Sequence, residues 1–201
     1  TAIGAINLIN SNITSLGGNI VLGGGTTPST VAAIGSAANT AGININGSTV
    51  NAGAGSVTTR GTGFSGSSTG YFGVQLQSSS TLQGGGTVTV IGNGGNGAGT
   101  GYGVYVNGSG NTIKSTGTGL LTVTGTGGGV GASNYGVALN ASSVQATDSG
   151  NIVVTGTGSQ SQATTSGNVG VWLNAGSITG AFDTEVTGGR SGYKYSVQKL
   201  G

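Results

Sequence analysis

Gly103-Val104-Tyr105-Val106-Asn107 is one of five versions of the same short string. The others are Gly42-Ile43-Asn44-Ile45-Asn46, Gly73-Val74-Gln75-Leu76-Gln77, Gly136-Val137-Ala138-Leu139-Asn140 and Gly170-Val171-Trp172-Leu173-Asn174. Their leading glycines are separated by 31, 30, 33 and 34 residues. Within each string the aliphatic residues alternate with period two, the pattern of a strand with one buried face. Val104 and Val106 are expected to point one way and Tyr105 the other.

Two further elements follow each string in the same order. A small polar residue precedes an aliphatic one at Thr49-Val50, Thr81-Leu82, Thr112-Ile113, Ser143-Val144 and Ser177-Ile178. Then come Val57-Thr58-Thr59-Arg60-Gly61, Val88-Thr89-Val90-Ile91-Gly92, Leu121-Thr122-Val123-Thr124-Gly125, Ile152-Val153-Val154-Thr155-Gly156 and, more loosely, Thr184-Glu185-Val186-Thr187-Gly188. A degenerate copy precedes them in Ile6-Asn7-Leu8, Ile13 and Ile20-Val21-Leu22-Gly23. Three short strands per repeat form a coil, and stacked coils pair equivalent strands in parallel, so that each repeat buries its aliphatic residues against those of the last. The predicted fold is all-β, a parallel β-helix (β-solenoid) of about six coils with 30–34 residues per regular coil. At the usual strand spacing that is a rod roughly 30 Å long.

The predicted solenoid spans residues 1–190 as a single domain, with residues 26–42, holding the only proline (Pro28), inserted between the first and second coils as a side loop or short helix. Residues 191–201 break the repeat and concentrate charge, as a cap, a linker or a subunit contact would. Asn46, Asn107, Asn140 and Asn174, with Gln77 as the exception, share one position and are predicted to form a hydrogen-bonded amide ladder. The glycine after each third strand is expected to take the positive φ of a tight corner.

Composition excludes several classes. The 201 residues include 47 Gly and one Pro, and no Cys, Met or His. Glycine at every third position is lacking, which excludes collagen, and no 3.5-residue apolar period supports a coiled coil. Only 4% of residues are charged, against about 25% in ordinary domains, which leaves few groups for acid–base work. The cations Arg60, Lys114, Arg190, Lys194 and Lys199 are too dispersed to grip a phosphate backbone, so no nucleic-acid partner is expected. No apolar run reaches the length of a membrane-spanning helix. The Thr1-Ala2-Ile3-Gly4 start reads as that of a mature or excised segment.

The Gly-Val-x-Leu-Asn strings, Val123-Thr124-Gly125-Thr126-Gly127, Val154-Thr155-Gly156-Thr157-Gly158 and Leu16-Gly17-Gly18-Asn19-Ile20-Val21-Leu22-Gly23-Gly24 resemble those of filamentous-haemagglutinin-type proteins and related autotransporter-like bacterial surface adhesins. The resemblance runs from about Ala5 to Gly189 and rests on structural rather than catalytic motifs. It implies a secreted, cysteine-poor, right-handed parallel β-helix at the bacterial cell surface that serves adhesion, biofilm cohesion or extracellular filament formation. Implied partners are other copies or segments of the same surface protein, joined end to end or laterally, and host or matrix glycans. The Asn-Pro-type secretion motif of two-partner-secreted members is not found, so a shaft segment or a differently exported relative is expected.

Candidate chemistry is sparse. Gly92 to Gly97 match a GxGxxG phosphate loop, but no helical pattern or ribose-binding acid follows, and a loop is the expected reading. The stretch also lacks the aspartates of calcium-binding repeats. Asp183 and Glu185, two apart on a strand near Arg190, invite comparison with the carboxylate pairs of polysaccharide-degrading β-helices; the simpler reading is solvated charge near the end of the solenoid. Asp148 is the third acid. No catalytic residue, metal ligand or cofactor is assigned, and an enzyme is not expected. The outward column Asn44, Gln75, Tyr105, Ala138, Trp172 offers Tyr105 and Trp172 either as a platform for sugar rings in a carbohydrate-binding adhesin or tailspike-like module, or as part of a covered strand face. The outward Thr58/Arg60, Thr89/Ile91, Thr122/Thr124, Val153/Thr155, Glu185/Thr187 pairs suggest an ice-binding array interrupted by Arg60, Ile91 and Glu185. Asn12, Asn46, Asn107 and Asn140 head glycosylation-type triplets, which are read as chance.

Overall fold

The computed structural model describes residues 4–66, 70–159, 167–190 and 193–199, with the backbone alone described at 190 and 193–199. It is all-β, a parallel β-solenoid. Strands β1 (Ile6–Ile9), β2 (Asn12–Thr14) and β3 (Ile20–Leu22) make the first coil. After the insertion strand β4 (Ala33–Ile34) come β5 (Ile43–Asn46), β6 (Thr49–Asn51) and β7 (Val57–Thr62), then β8 (Val74–Gln77), β9 (Thr81–Gly84) and β10 (Val88–Asn93). The fourth and fifth coils are β11 (Val104–Asn107), β12 (Thr112–Ser115) and β13 (Leu121–Thr126), and β14 (Val137–Asn140), β15 (Ser143–Ala146) and β16 (Ile152–Thr157). The sixth is β17 (Val171–Asn174), β18 (Ser177–Thr179) and β19 (Thr184–Arg190).

Equivalent strands pair in parallel into three ladders of six strands, about five full turns from the first strand of a ladder to its last. The register keeps every column intact: Ile43, Val74, Val104, Val137 and Val171 lie side by side, as do Val50, Leu82, Ile113, Val144 and Ile178. Strands are short because each needs only two or three inward side chains to reach the next corner. The inward residues of the middle coils are fully buried in one continuous aliphatic core, each contributing about 1.5–3 kcal/mol. Thr59 breaks the pattern in the column of Val90, Val123 and Val154, and its buried hydroxyl has no hydrogen-bond partner.

Two corners differ from the sequence reading. Gly61, Gly92, Gly125 and Gly156 lie inside the third-sheet strands, not at a corner, and none has a positive φ. They are needed for close approach: a Cβ at Gly92 would overlap the carbonyl oxygen of Gly103, and one at Gly125 that of Gly136. The left-handed corner lies between the first and second sheets, just after the amide position, at Asn10 (φ 48°), Gly47 (57°), Ser78 (59°), Gly108 (98°), Ala141 (47°) and Ala175 (51°). That corner is closed inside by a buried column the sequence reading missed. The backbone N–H of Ser11 donates to Ser48 Oγ (2.9 Å), that of Ser48 to Ser80 Oγ (3.0 Å), and that of Ser80 to Asn111 Oδ1 (2.7 Å).

The 26–42 insertion contains no helix. Its turn at Thr27 to Val31 leads into β4, which pairs with β7 at Gly61 and Thr62 and buries Ala33. At the other end, β20 (Tyr193–Lys199) adds antiparallel to β19, running Thr184 opposite Lys199 to Arg190 opposite Tyr193. The side chains of Arg190, Lys194 and Lys199 lie outside the described residues.

Candidate functional site

The outward face of the first sheet carries the side chains most suited to recognition. Strand alternation turns Asn44, Gln75, Tyr105, Ala138 and Trp172 outward in one column and Asn46, Gln77, Asn107, Asn140 and Asn174 in the next. In the second of these, Asn140 Nδ2 donates to Asn107 Oδ1 (2.9 Å) and Asn174 Nδ2 to Asn140 Oδ1 (2.8 Å). The lower coils are wired differently. Gln77 Nε2 crosses to Asn44 Oδ1 (3.2 Å), and Asn44 Nδ2 continues to Asn7 Oδ1 (2.7 Å). The longer glutamine side chain thus diverts the amide run into the neighbouring column, and Asn46 lies beside it rather than in it. The amides of the upper run are half-buried or exposed, so they stiffen the surface rather than satisfy a buried corner.

Tyr105 and Trp172 are not neighbours; Ala138 stands between them and is fully buried. What covers it is an aromatic set the sequence reading missed, formed by the residue before the leading glycine of three coils. Phe72, Tyr102 and Tyr135 fold over this face. Tyr102 stacks on Tyr135 (centroids 4.9 Å, 25°), and Tyr135 stacks on Trp172 (5.1 Å, 16°). Phe72 packs tilted against Tyr102 (5.3 Å) and Tyr105 (4.9 Å), and Tyr105 meets Tyr102 edge-on (5.0 Å, 85°). These rings stand outside the alternating strings, so strand periodicity gave no sign of them; the signal is the aromatic–glycine pair itself, at Phe72-Gly73, Tyr102-Gly103 and Tyr135-Gly136.

Stacking determines what the rings can do. Both faces of Tyr135 are occupied by neighbours, whereas Trp172 has one face on Tyr135 and no ring on the other among the described residues. Burial, with the neighbouring phenols of Tyr135 and Tyr105 adding to it, pushes the Tyr102 hydroxyl up to about 12, and burial also raises that of Tyr105. The phenols therefore remain neutral hydrogen-bond donors at ordinary pH.

Elsewhere, Asp183 and Glu185 are exposed and line a shallow groove of about 230 Å³ with Leu120, Asn151, Ile152, Val153 and Thr184. Glu185 Oε1 accepts from Thr187 Oγ1 at 3.2 Å, and Asp148 is exposed on a separate turn. Among the described residues no group of three or more His, Cys, Asp or Glu could hold a metal ion, and no helix is long and apolar enough to cross a membrane. The Gly92–Gly97 stretch has no anion cradle. Its amides are taken by Thr126 O (from Gly94, 2.8 Å), Tyr71 O (from Gly95, 3.0 Å) and Ser65 Oγ (from Asn96, 3.0 Å). No protein-family model, curated protein or solved structure matches the chain.

Proposed function

We propose that the chain is a structural and adhesive module of a large secreted bacterial surface protein, a stiff shaft for cell adhesion, biofilm cohesion or filament formation. The observation that supports this reading most is the unbroken register of all three ladders around one aliphatic core. Stacked this way, the stability of the rod is close to a sum of contacts between neighbouring coils, and bending it means breaking a ladder. Its working place is the cell exterior, and its partners are other copies or segments of the same surface protein. In this reading the chain is not an enzyme and uses no cofactor. Electron microscopy of native cells with a labelled antibody against this segment tests it. Label along thin projecting structures is expected, and label confined to the cell interior would overturn it.

A second reading, carbohydrate recognition, is favoured by one observation: Trp172, stacked on Tyr135 through one face, carries an indole face with no ring against it among the described residues. An aromatic face of this kind stacks on sugar rings. On a glycan array, Trp172→Ala is expected to abolish any retention, while Tyr135→Phe, which keeps the stack, leaves it intact.

A further inference from the structure

The third sheet turns a different surface outward. Across β10, β13 and β16 nine outward positions stand in continuous register, and six of them are threonine. Thr122, Thr124 and Thr126 occupy all three positions of β13, and Thr155 and Thr157 extend two of those columns onto β16. Ile91, Asn93 and Val153 complete the set with Thr89. None of these six threonine hydroxyls makes a hydrogen bond within the described protein. Hydroxyls on the second sheet behave differently, Thr112 Oγ1 lying 3.2 Å from Ser143 Oγ.

The charges that interrupt this array in the sequence stand at its two borders. Arg60, one coil below, donates through Nε to the carbonyl of Ser29 in the insertion. Glu185, one coil above, accepts from Thr187. Between them the face is neutral, and its positions repeat at about 4.8 Å across the strands and about 6.7 Å along them. Threonine is β-branched, with χ1 restricted in a strand, so neighbouring residues can present methyl and hydroxyl groups in like orientation.

Such a surface suits few partners. A protein-docking face gathers aromatic and arginine anchors at its centre, and this one has none. A sugar platform needs exposed rings, and the ring cluster of this molecule is on another sheet. Nucleic acid needs clustered cations. What remains complementary to a rigid, uncharged, two-dimensional repeat of paired methyl and hydroxyl groups is a lattice with repeats of similar size. We propose that the outward face of β10, β13 and β16 binds crystalline water, holding the protein to the surface of ice. The methyl groups exclude disordered water, and the free hydroxyls donate to and accept from the ordered layer.

The test is incorporation of the 201-residue chain into slowly grown ice, together with thermal hysteresis at the ice front. The wild-type chain is expected to be enriched in the ice fraction and to shape the crystals. Thr124→Lys combined with Thr155→Lys is expected to lose both effects, and Gln83→Lys on the second sheet to keep them. Circular dichroism and thermal melting establish that the variants fold. Should the lysine pair not fold, Thr124→Ser with Thr155→Ser, which keeps the hydroxyls and removes the methyls, is expected to show the loss instead. Exclusion of the wild-type chain from ice would overturn the proposal, as would folded variants that match it. Co-sedimentation with microcrystalline cellulose or chitin, lost in the same variants without any effect on ice, would assign the face to a polysaccharide crystal.

Discussion

The corner between the third and first sheets and the corner between the first and second are both turned once per coil, by opposite means. On the approach to the former, still inside the third-sheet strands, glycines with ordinary φ press backbone against the glycine that opens the next first-sheet strand, Gly92 on Gly103 and Gly125 on Gly136. At the latter the chain takes a left-handed step, and four of the six coils take it on asparagine, serine or alanine. Glycine in this molecule therefore marks a place with no room for a side chain more often than a place that needs unusual backbone angles. The left-handed corner tolerates ordinary residues because hydroxyls and an amide hold it from inside: Ser80 Oγ accepts from the Ser48 N–H and lies within bonding distance of the Gln77 and Ile45 carbonyls.

The sharpest way to break this contrast is Gly92→Ala. The new methyl would overlap the Gly103 carbonyl and crowd the Cγ2 of buried Val104, and a loss of about 3 kcal/mol is expected, at the upper end of overpacking effects, read as a lower urea midpoint. Gly188 occupies the same column in the sixth coil, where the nearest atom to an added Cβ is Val171 N at 3.2 Å. Gly188→Ala is accordingly expected to cost much less, and equal losses at the two sites would refute close approach as the cause. Next in size is Ser80→Ala, which leaves the buried Ser48 N–H without its acceptor and is expected to cost about 2 kcal/mol in the same denaturation series. The reverse sign is expected for Ala141→Gly, since alanine at φ 47° is strained. Relief of that strain, reduced by the greater chain entropy of glycine, leaves a gain of about 0.5–1 kcal/mol.

The smallest effect concerns the aromatic set beside the glycine corner. Folding raises the Tyr102 hydroxyl from 10.0 to about 12, so between those values the unfolded chain has released a proton that the folded chain keeps. Stability is then expected to fall as pH rises from 10 to 12, by less than about 1 kcal/mol once solvent screening of a half-exposed group is allowed for. Tyr102→Phe should flatten that part of the pH–stability curve, and phenolate absorbance should show one late-titrating tyrosine fewer.

Periodicity made the coils and their inward columns legible, because a repeat that alternates aliphatic and polar residues can bury its apolar face only by stacking on its neighbours. It could not separate the two uses of glycine, since close approach leaves no local signature in the chain. Ser48, Ser80 and Asn111 carry no sign in the sequence of the inner column they build, because small polar residues are equally common in exposed turns. Phe72, Tyr102 and Tyr135 fall one residue outside each string, so the Tyr105–Trp172 column was visible without the rings that cover its middle. The antiparallel pairing of β20 was hidden for a related reason: a single non-repeating strand has no period to reveal it.

Paired residues in adjacent coils lie between 30 and 37 positions apart, as in Val74 opposite Val104 and Ile6 opposite Ile43. Among the described residues each ladder joins a coil to the coils next to it in sequence. No step in winding the solenoid has to wait for the far end of the chain. A polypeptide delivered end-first through a narrow channel can lay each repeat on the one before it as soon as some three dozen residues have emerged. Every repeat so added would then resist being drawn back, because pulling it out means breaking the ladder that holds it to the repeat before.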